Sequence, residues 1–366
     1  MKPTVPANLT RLTMLLPWLL VAGCATTPQQ PSRTPTDVRS EIVRRMPANV
    51  QQPGTWAGDI QTAFERQKIE PSSENICAVI AITEQETGFR VDPPVPNLAN
   101  VARSEIDRRA AAKHIPKFLV DAALAIRSSD GHSYSDRLKR ARTERDLSRI
   151  FEDLIGSVPL GKRLFADYNP VQTAGPMQVN VSFAEANTRD YPYPIESNLR
   201  DEVFSQRGGL YFGIAHLLGY RTSYTRKLHR FADYNAGRYA SRNAAFQNAV
   251  AIASGRELTL DGDLLKPGAS LDQAGETERA VRTLASKIDM DERTIRQSLS
   301  RAGRLDFDDS DLVERVYALA EVRARKPLPR ALVPGIKLQS PKITRNLTTA
   351  WFATRVDGRY QRCMQR

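Results

Sequence analysis

The sequence predicts a mainly α fold, because helical periodicity recurs along most of the chain and strand patterns are scarce. The clearest core-facing stripe, spaced i, i+3, i+4, i+7, consists of Ile76, Val79, Ile80 and Thr83. A composition of 41% hydrophobic and 26% charged residues is typical of a globular protein. About 330 residues follow the N-terminal segment, which is enough for one large core or two domains.

The N-terminal segment predicts export and lipid attachment. Lys2 and Arg11 form a positive region, and the largely apolar run from Leu12 to Gly23 is too short to span a bilayer. The run ends in Leu-Val-Ala-Gly-Cys at Cys24, which resembles the bacterial lipobox. The resemblance implies a signal peptide at 1–23, lipid on Cys24 and membrane attachment through that lipid. The alternative is an ordinary secretory signal with an incidental cysteine. By the sorting rule for such lipoproteins, Ala25 favours the outer membrane, with the protein facing the periplasm.

The elements that follow are predicted from caps, breakers and apolar spacing. Residues 24–36 are polar and rich in proline, so they form a flexible tether. Pro71-Ser72-Ser73-Glu74 opens a helix, with Ser72 or Ser73 as the N-cap. The other predicted helices are 37–45, 56–68, 98–127, 134–156, 199–220, 239–254, 275–302 and 309–325. We expect the tail from Leu328 to Arg366 to be irregular and to wrap back on the body.

Charge and cysteine usage restrict the partners and cofactors. The net charge is +12, but lysine and arginine are spread throughout and few aromatics lie among them. This pattern favours a solvated basic surface facing an anionic envelope over nucleic-acid binding. Apart from Cys24, the cysteines are Cys77 and Cys363, which an oxidising compartment allows to pair; two buried free thiols are the alternative. Four histidines stand far apart without HExxH or CxxC, so we expect no metal and no cofactor. Protein partners are not predicted.

Glu86 is the candidate proton donor. It follows Val79 by seven residues and Ile82 by four, so on a helix it projects between two apolar side chains. Burial there raises the pKa of a carboxyl group, and a protonated carboxyl near neutrality is what a glycosidic oxygen needs from a general acid. The alternatives are a merely solvated Glu86 at a helix end, or Glu84 on the other edge of the stripe.

Three segments in order carry a resemblance to a known family. They are Glu86-Thr87-Gly88-Phe89, Gly175-Pro176-Met177-Gln178 and Tyr234-Asn235-Ala236-Gly237. The first is similar to the opening motif of the lysozyme-like soluble lytic transglycosylases, the second to their Gly-Leu-Met-Gln, and the third matches their Tyr-Asn-Ala-Gly. Residues 209–218 look like the helix that the family places between the last two motifs. The resemblance covers about 75–95 and 168–250; the whole chain also resembles a family of proteobacterial lipoproteins.

The resemblance implies an architecture and an activity. The architecture is a lysozyme-like helical domain at 37–260, with an insertion at about 98–166 and a C-terminal helical extension at 261–366. The activity is cleavage of the MurNAc–GlcNAc β-1,4 bond of peptidoglycan glycan strands, with Glu86 as acid and then base and a 1,6-anhydro sugar as product. The residues implied to bind substrate are Phe89, Gly175, Met177, Gln178, Tyr234 and Asn235.

The sequence departs from the family pattern at three points. Glu86 and Gly175 are 89 residues apart, where the family has a short loop. The serine-and-glycine pattern that usually precedes the second motif is replaced by residues 169–174, and Pro176 replaces the leucine of that motif. Two other functions therefore remain open. One is a non-catalytic peptidoglycan-binding envelope lipoprotein, and the other is a lysozyme-type hydrolase, which needs water held opposite Glu86.

Overall fold

The computed structural model describes residues 33–338 and 346–366, and in this part of the chain the protein is mainly α-helical, as predicted. Eighteen α-helices and one short hairpin are present among these residues. Pro35–Arg366 forms one compact unit. Cys24, the predicted signal peptide at 1–23 and residues 24–32 of the predicted tether lie outside the described residues, whereas Pro35 and Thr36, which were assigned to the tether, begin the first helix.

The first three helices carry the predicted apolar stripe. They are α1 (Pro35–Arg45), α2 (Pro53–Arg66) and α3 (Ser73–Glu86). Ser72 is the N-cap of α3, and its hydroxyl accepts a hydrogen bond from the backbone N of Asn75 at 3.2 Å, as the sequence predicts. The helix ends at Glu86 because Gly88 and Phe89 both adopt left-handed backbone angles, with φ of 59° and 60°.

The segment between the first and second motifs folds into five short helices. They are α4 (Leu98–Ala112), α5 (Lys117–Ala125), α6 (Tyr134–Arg140), α7 (Glu144–Gly156) and α8 (Gly161–Phe165). The predicted uninterrupted helices at 98–127 and 134–156 are wrong. Pro116 stops the first from continuing, and Thr143 starts a new helix through a capping box with Asp146. The helices share a small core of Leu98, Val120, Leu124, Tyr134, Ala141 and Ile150.

The second motif lies on a hairpin, and the third lies on a helix. Strands β1 (Thr173–Ala174) and β2 (Val179–Asn180) pair antiparallel, with Thr173 opposite Asn180. The helices that follow are α9 (Val181–Ala186), α10 (Leu199–Val203), α11 (Gln206–Leu218) and α12 (Lys227–Ala236). The predicted helix at 199–220 divides at Ser205, whose hydroxyl caps α11 by accepting from the backbone N of Gly208 at 3.0 Å.

A second apolar core follows the third motif. Its helices are α13 (Ala240–Ser254), α14 (Glu276–Arg282), α15 (Ala285–Ile288), α16 (Glu292–Leu299) and α17 (Asp311–Ala324). They enclose Phe246, Val281, Phe307 and Val316, all fully or almost fully buried. Helices α13 and α17 match the predictions at 239–254 and 309–325, whereas the predicted helix at 275–302 is divided into three.

The tail corrects the prediction of an irregular end. Its last part is a regular helix, α18 (Thr349–Met364), which begins where Thr348 accepts from the backbone N of Trp351 at 3.1 Å. Helix α18 packs against both α3 and α12 and buries Phe352, Val356 and Tyr360 in the first core. The tail therefore does wrap back, as predicted. Among the helices of residues 33–338 and 346–366, none has the length and apolarity needed to cross a membrane.

Candidate active site

The fold brings the three motif segments into direct contact. The Thr87 hydroxyl donates to the carbonyl oxygen of Pro176 at 2.8 Å, across 89 positions of sequence. The Tyr234 hydroxyl donates to the carbonyl oxygen of Met177 at 2.7 Å. The turn between β1 and β2 is thus held between the end of α3 and the side of α12.

Glu86 is the half-buried last residue of α3. Burial, and then the negative charge of Glu86, raises the pKa of Tyr234 well above its ordinary value. The Tyr234 hydroxyl therefore stays protonated at neutral pH and remains a donor to the turn. Glu86 directly precedes Thr87, whose hydroxyl bonds the same turn, so Glu86 lies at the end of α3 that contacts the turn.

Glu84 has a different environment from Glu86. It pairs with two arginines of α18, Arg359 at 3.5 Å and Arg362 at 3.7 Å. These pairs join α3 to the C-terminal helix on the side of the disulfide. The Glu84 carboxylate is engaged in these structural ion pairs, so of the two glutamates Glu86 is the better candidate acid.

Glycines determine the shape of the turn and its contact with α11. Gly175 has a φ of 74°, and a Cβ at this position would lie 2.2 Å from the carbonyl oxygen of Val203. On α11, a Cβ at Gly213 would lie 2.6 Å from both Cβ and Sδ of Met177, and one at Gly209 would lie 2.5 Å from Cδ of Pro176. The two glycines, four residues apart, let the turn lie directly on the helix. The sequence analysis includes this helix in the resemblance but does not predict its contact with the turn, although two glycines spaced i, i+4 on one helix face indicate a close approach.

The residues implied to bind substrate divide into two groups. Gln178 and Tyr234 are half-buried and Asn235 is exposed, so these three have surface available to a ligand. Phe89, Gly175 and Met177 are buried. Phe89 packs edge-on against Trp56, with ring centroids 5.2 Å apart. The three buried residues therefore pack inside the protein and have no side-chain surface available to a ligand.

Asp233 is the other carboxylate of the third segment, and it is fully buried. One of its oxygens accepts from the hydroxyls of Tyr220 at 3.1 Å and Tyr224 at 2.8 Å and from the backbone N of Tyr239 at 2.9 Å. The other accepts from the backbone N of Ser241 at 2.7 Å. Burial raises the pKa of Asp233, whereas the hydrogen bonds oppose the rise. Asp233 thus ties the end of α12 to the start of α13 and has no access to a substrate.

Two residues outside the motifs contact Tyr234 and Asn235 of α12. The Thr349 hydroxyl at the start of α18 donates to Oδ1 of Asn235 at 2.9 Å. Nε2 of His216 lies 3.2 Å from the carbonyl oxygen of Tyr234. Burial, with a smaller effect of Arg238, lowers the pKa of His216 to about 4, so the imidazole is neutral at neutral pH. The sequence analysis assigned neither Thr349 nor His216 a role.

Cys77 and Cys363 form a disulfide. This confirms the predicted pairing rather than the alternative of two buried free thiols. The Cα atoms are 5.5 Å apart, the bridge spans 286 residues, and both cysteines are buried. It joins the middle of α3 to the end of α18. Among the residues that the structure describes, no group of three His, Cys, Asp or Glu side chains could hold a metal ion.

A cavity of about 310 Å³ lies at the C-terminal end of α12. It is lined by Ala236 and Gly237 of the third motif, by Asn243 of α13 and by Leu299 and Gly303, among others. Gly237 has a φ of 106° and ends α12 at this point. The third motif and residues of the second core thus line this cavity together.

Comparisons with known proteins identify a family without an assigned activity. Residues 49–366 match the family described as "Protein of unknown function (DUF1615)". The chain is 51% identical over 354 residues to the protein of Escherichia coli (strain K12) named "Uncharacterized protein YaiW", an alignment that covers 96% of this chain and 97% of that protein. No solved structure matches the chain.

Proposed function

The chain belongs to the DUF1615 family, and we propose that it cleaves peptidoglycan glycan strands as a lytic transglycosylase, with Glu86 as the single acid and base. The observation that carries the proposal is the convergence of three segments distant in sequence around one half-buried carboxyl group. Thr87 and Tyr234 both hydrogen-bond the turn of the second motif, and Glu86 lies at the same junction. Residues 37–260 would then be a lysozyme-like domain.

One carboxyl group suffices for this reaction. Glu86 protonates the oxygen between N-acetylmuramic acid and N-acetylglucosamine, and the bond from that oxygen to the anomeric carbon breaks. The muramyl 6-hydroxyl then attacks the anomeric carbon, and the Glu86 carboxylate accepts the hydroxyl proton. The product is a 1,6-anhydro sugar. An ordinary glycosidase needs a second carboxylate, and Asp233 cannot supply it because it is buried and hydrogen-bonded by four donors.

Tyr234 acts as a positioning residue in this proposal. Its hydroxyl is committed to the carbonyl oxygen of Met177, so it orients the turn beside Glu86 and does not itself transfer a proton. Besides Tyr234, Gln178 and Asn235 are the implied substrate-binding side chains with surface for a glycan.

The place of action is part of the proposal. Lipid on Cys24 would attach the protein to the outer membrane and keep it on the periplasmic side, where peptidoglycan lies. Processing supplies the test: Cys24→Ser should leave the precursor uncleaved or move the protein out of the outer-membrane fraction. If processing and fractionation are unchanged, the attachment site is wrong.

The decisive experiment is product analysis of purified sacculi incubated with residues 25–366. This portion retains the whole compact unit from Pro35 onward. Mass spectrometry should find 1,6-anhydro muropeptides with the wild type and at least about 100-fold fewer with Glu86→Gln, which keeps size but loses the transferable proton. Glu84→Gln is the matched control, two residues away, and it should keep most of the activity because it removes only partly exposed ion pairs.

The results separate the proposal from its alternatives. Full activity of Glu86→Gln would contradict the assignment of Glu86. Reducing-end products would indicate a hydrolase. Binding to sacculi without any product would indicate a non-catalytic peptidoglycan-binding lipoprotein, and one observation favours this alternative. Three of the six implied substrate-binding residues, Phe89, Gly175 and Met177, are buried.

A further inference from the structure

Exposed apolar side chains are concentrated in one part of the molecule. Of the twelve large hydrophobic side chains exposed among the described residues, nine lie between residues 115 and 168. They form two groups: Ile115, Phe118, Leu119 and Ile126 in the first, and Val158, Leu160, Leu164, Phe165 and Tyr168 in the second. Single exposed apolar residues are ordinary on a protein surface, whereas a concentration of this kind indicates a contact surface.

The first group covers the outward side of α5. Val120 and Leu124 face the small core of this segment, whereas Phe118 is 68% exposed and Leu119 is 49% exposed. Ala122 and Ala123, one turn further along, are exposed as well. Helix α5 is therefore apolar on both its inward and its outward side, which is not expected of a helix that faces water. With nine residues it is far too short to cross a bilayer.

Tyr134 links the first group to the helix that precedes the second. Its backbone N donates to the carbonyl oxygen of Ile126 at 3.1 Å, and its hydroxyl donates to Asp153 at 3.0 Å. The Ser129 hydroxyl donates to the same carboxylate at 2.8 Å. Asp153 belongs to the last turn of α7, just before Val158. Hydrogen bonds through Tyr134 and Asp153 thus connect the end of the first group to the helix that leads into the second, and we call residues 115–126 and 158–168 together the apolar face.

The charges in and beside the apolar face are mostly positive. Its exposed cations are Lys113, Lys117, Arg127 and Arg163. The carboxylate within the first group, Asp121, already pairs with Lys117 at 3.1 Å and with Arg103. Asp167 is the exposed acid of the second group. Apolar side chains with cations beside them complement a bilayer surface that carries anionic headgroups.

We propose that the apolar face docks on the surface of an anionic phospholipid bilayer, with Phe118, Leu119, Leu160 and Leu164 entering the boundary between headgroups and acyl chains. Lipid on Cys24, itself a proposal, would assist the docking. Residues 25–34 can span at most about 36 Å, so the compact unit would stay close to the bilayer. The docking does not depend on the chemistry of Glu86.

The test uses residues 25–366, which contain the whole compact unit and lack the lipid. Sedimentation with vesicles should show binding to phosphatidylcholine containing phosphatidylglycerol and weaker binding to phosphatidylcholine alone. Phe118→Ser/Leu119→Ser should weaken binding more than tenfold, because each side chain loses its burial in the bilayer. Lys113→Gln should weaken it about fivefold, and only with the anionic vesicles. Val322→Ser is the matched control: Val322 is 80% exposed on α17, and its loss should leave binding unchanged.

Insertion depth gives a second and independent readout. Phe118→Trp should be quenched by lipids brominated on their acyl chains beyond any quenching of Trp56 and Trp351 in the wild type. The proposal is wrong if the wild type binds neither vesicle, or if Phe118→Ser/Leu119→Ser binds like the wild type. It is also wrong if the protein is a dimer that this double variant converts to a monomer, since the face would then serve self-association. Glu86→Gln should bind vesicles like the wild type, so a failure of the proposed enzymatic function would leave this result intact.

Discussion

Removal of the Cys77–Cys363 bridge should produce a large loss of stability. The bridge closes a loop of 286 residues, so it restricts the unfolded chain strongly. The chain-entropy treatment gives about 5–6 kcal/mol for a loop of this length at 25 °C, and native disulfides typically contribute about 2–5 kcal/mol. For Cys77→Ala/Cys363→Ala we therefore expect the free energy of unfolding to fall by about 3–5 kcal/mol. Both positions are buried, so some of the loss comes from packing.

Urea unfolding of residues 25–366 is the appropriate assay, with and without reductant. Without the bridge, the midpoint should fall and the slope m should rise, because the unfolded chain expands and exposes more surface. The matched control is Glu84→Gln, which removes ion pairs between the same two helices, α3 and α18, and leaves the bridge intact. It should cost at most about 1 kcal/mol.

Two results would refute this reasoning. An unchanged midpoint on reduction would mean that α18 is held to α3 by its packing alone. Two free thiols, found by titrating the denatured and unreduced protein, would mean that the bridge does not form in solution. A fall in the midpoint without any rise in m would retain the bridge but assign its effect to the folded state.

Three further substitutions test the surroundings of the candidate site. Gly213→Ala should destabilise the protein by about 1–3 kcal/mol in urea, because the new methyl group meets Met177 at 2.6 Å, whereas Gly58→Ala on α2 has open space and should stabilise it by about 0.5–1 kcal/mol. Asp233→Ala should cost about 4 kcal/mol in the same assay, since four donors lose their acceptor. The pKa of His216 is lowered from 6.5 to about 4, so the unfolded state binds more protons between these values, and stability should fall by about 3 kcal/mol as the pH drops through that window. His216→Gln should remove that part of the pH dependence, and an identical pH profile would contradict the assignment.

The sequence predicted helices well where local signals and packing agree. Ser72 was identified as a candidate N-cap from Pro71-Ser72-Ser73-Glu74, and it caps α3. Long helices failed where a local breaker competes with periodicity, as at Pro116 and at the capping box of Thr143. Periodicity alone cannot show that a helix stops and restarts within one apolar pattern.

Helix α18 was missed for a different reason. Its sequence contains Gly358 and several β-branched and aromatic residues, which are weak helix formers. Its stability comes from packing against α3 and α12 and from the bridge, none of which is visible locally. A signal was nevertheless present, because Phe352, Val356 and Tyr360 recur every four residues.

At the candidate site, the motif segments were predictable from the sequence, whereas the burial of their side chains was not. The motifs supplied the segments that meet, and Thr87 of the first and Tyr234 of the third both donate to backbone carbonyls of the turn at 175–178. Their burial was not predictable from the motifs, because it depends on which neighbour covers each side chain. Met177 is covered because Gly213 lets α11 approach it, and Phe89 is covered by Trp56 of α2.

Helix α18 contacts both of the helices that carry the first and third motifs. It touches α3, which ends in Glu86, and its Thr349 holds Asn235 on α12. The two helices that carry the first and third motifs are therefore positioned by a common neighbour that the motifs do not include. The bridge fixes that neighbour to α3 only nine residues before Glu86. If Glu86 is catalytic, the geometry of its site depends on an oxidised bridge between two cysteines that are 286 positions apart, and such a bridge forms and persists in an oxidising compartment.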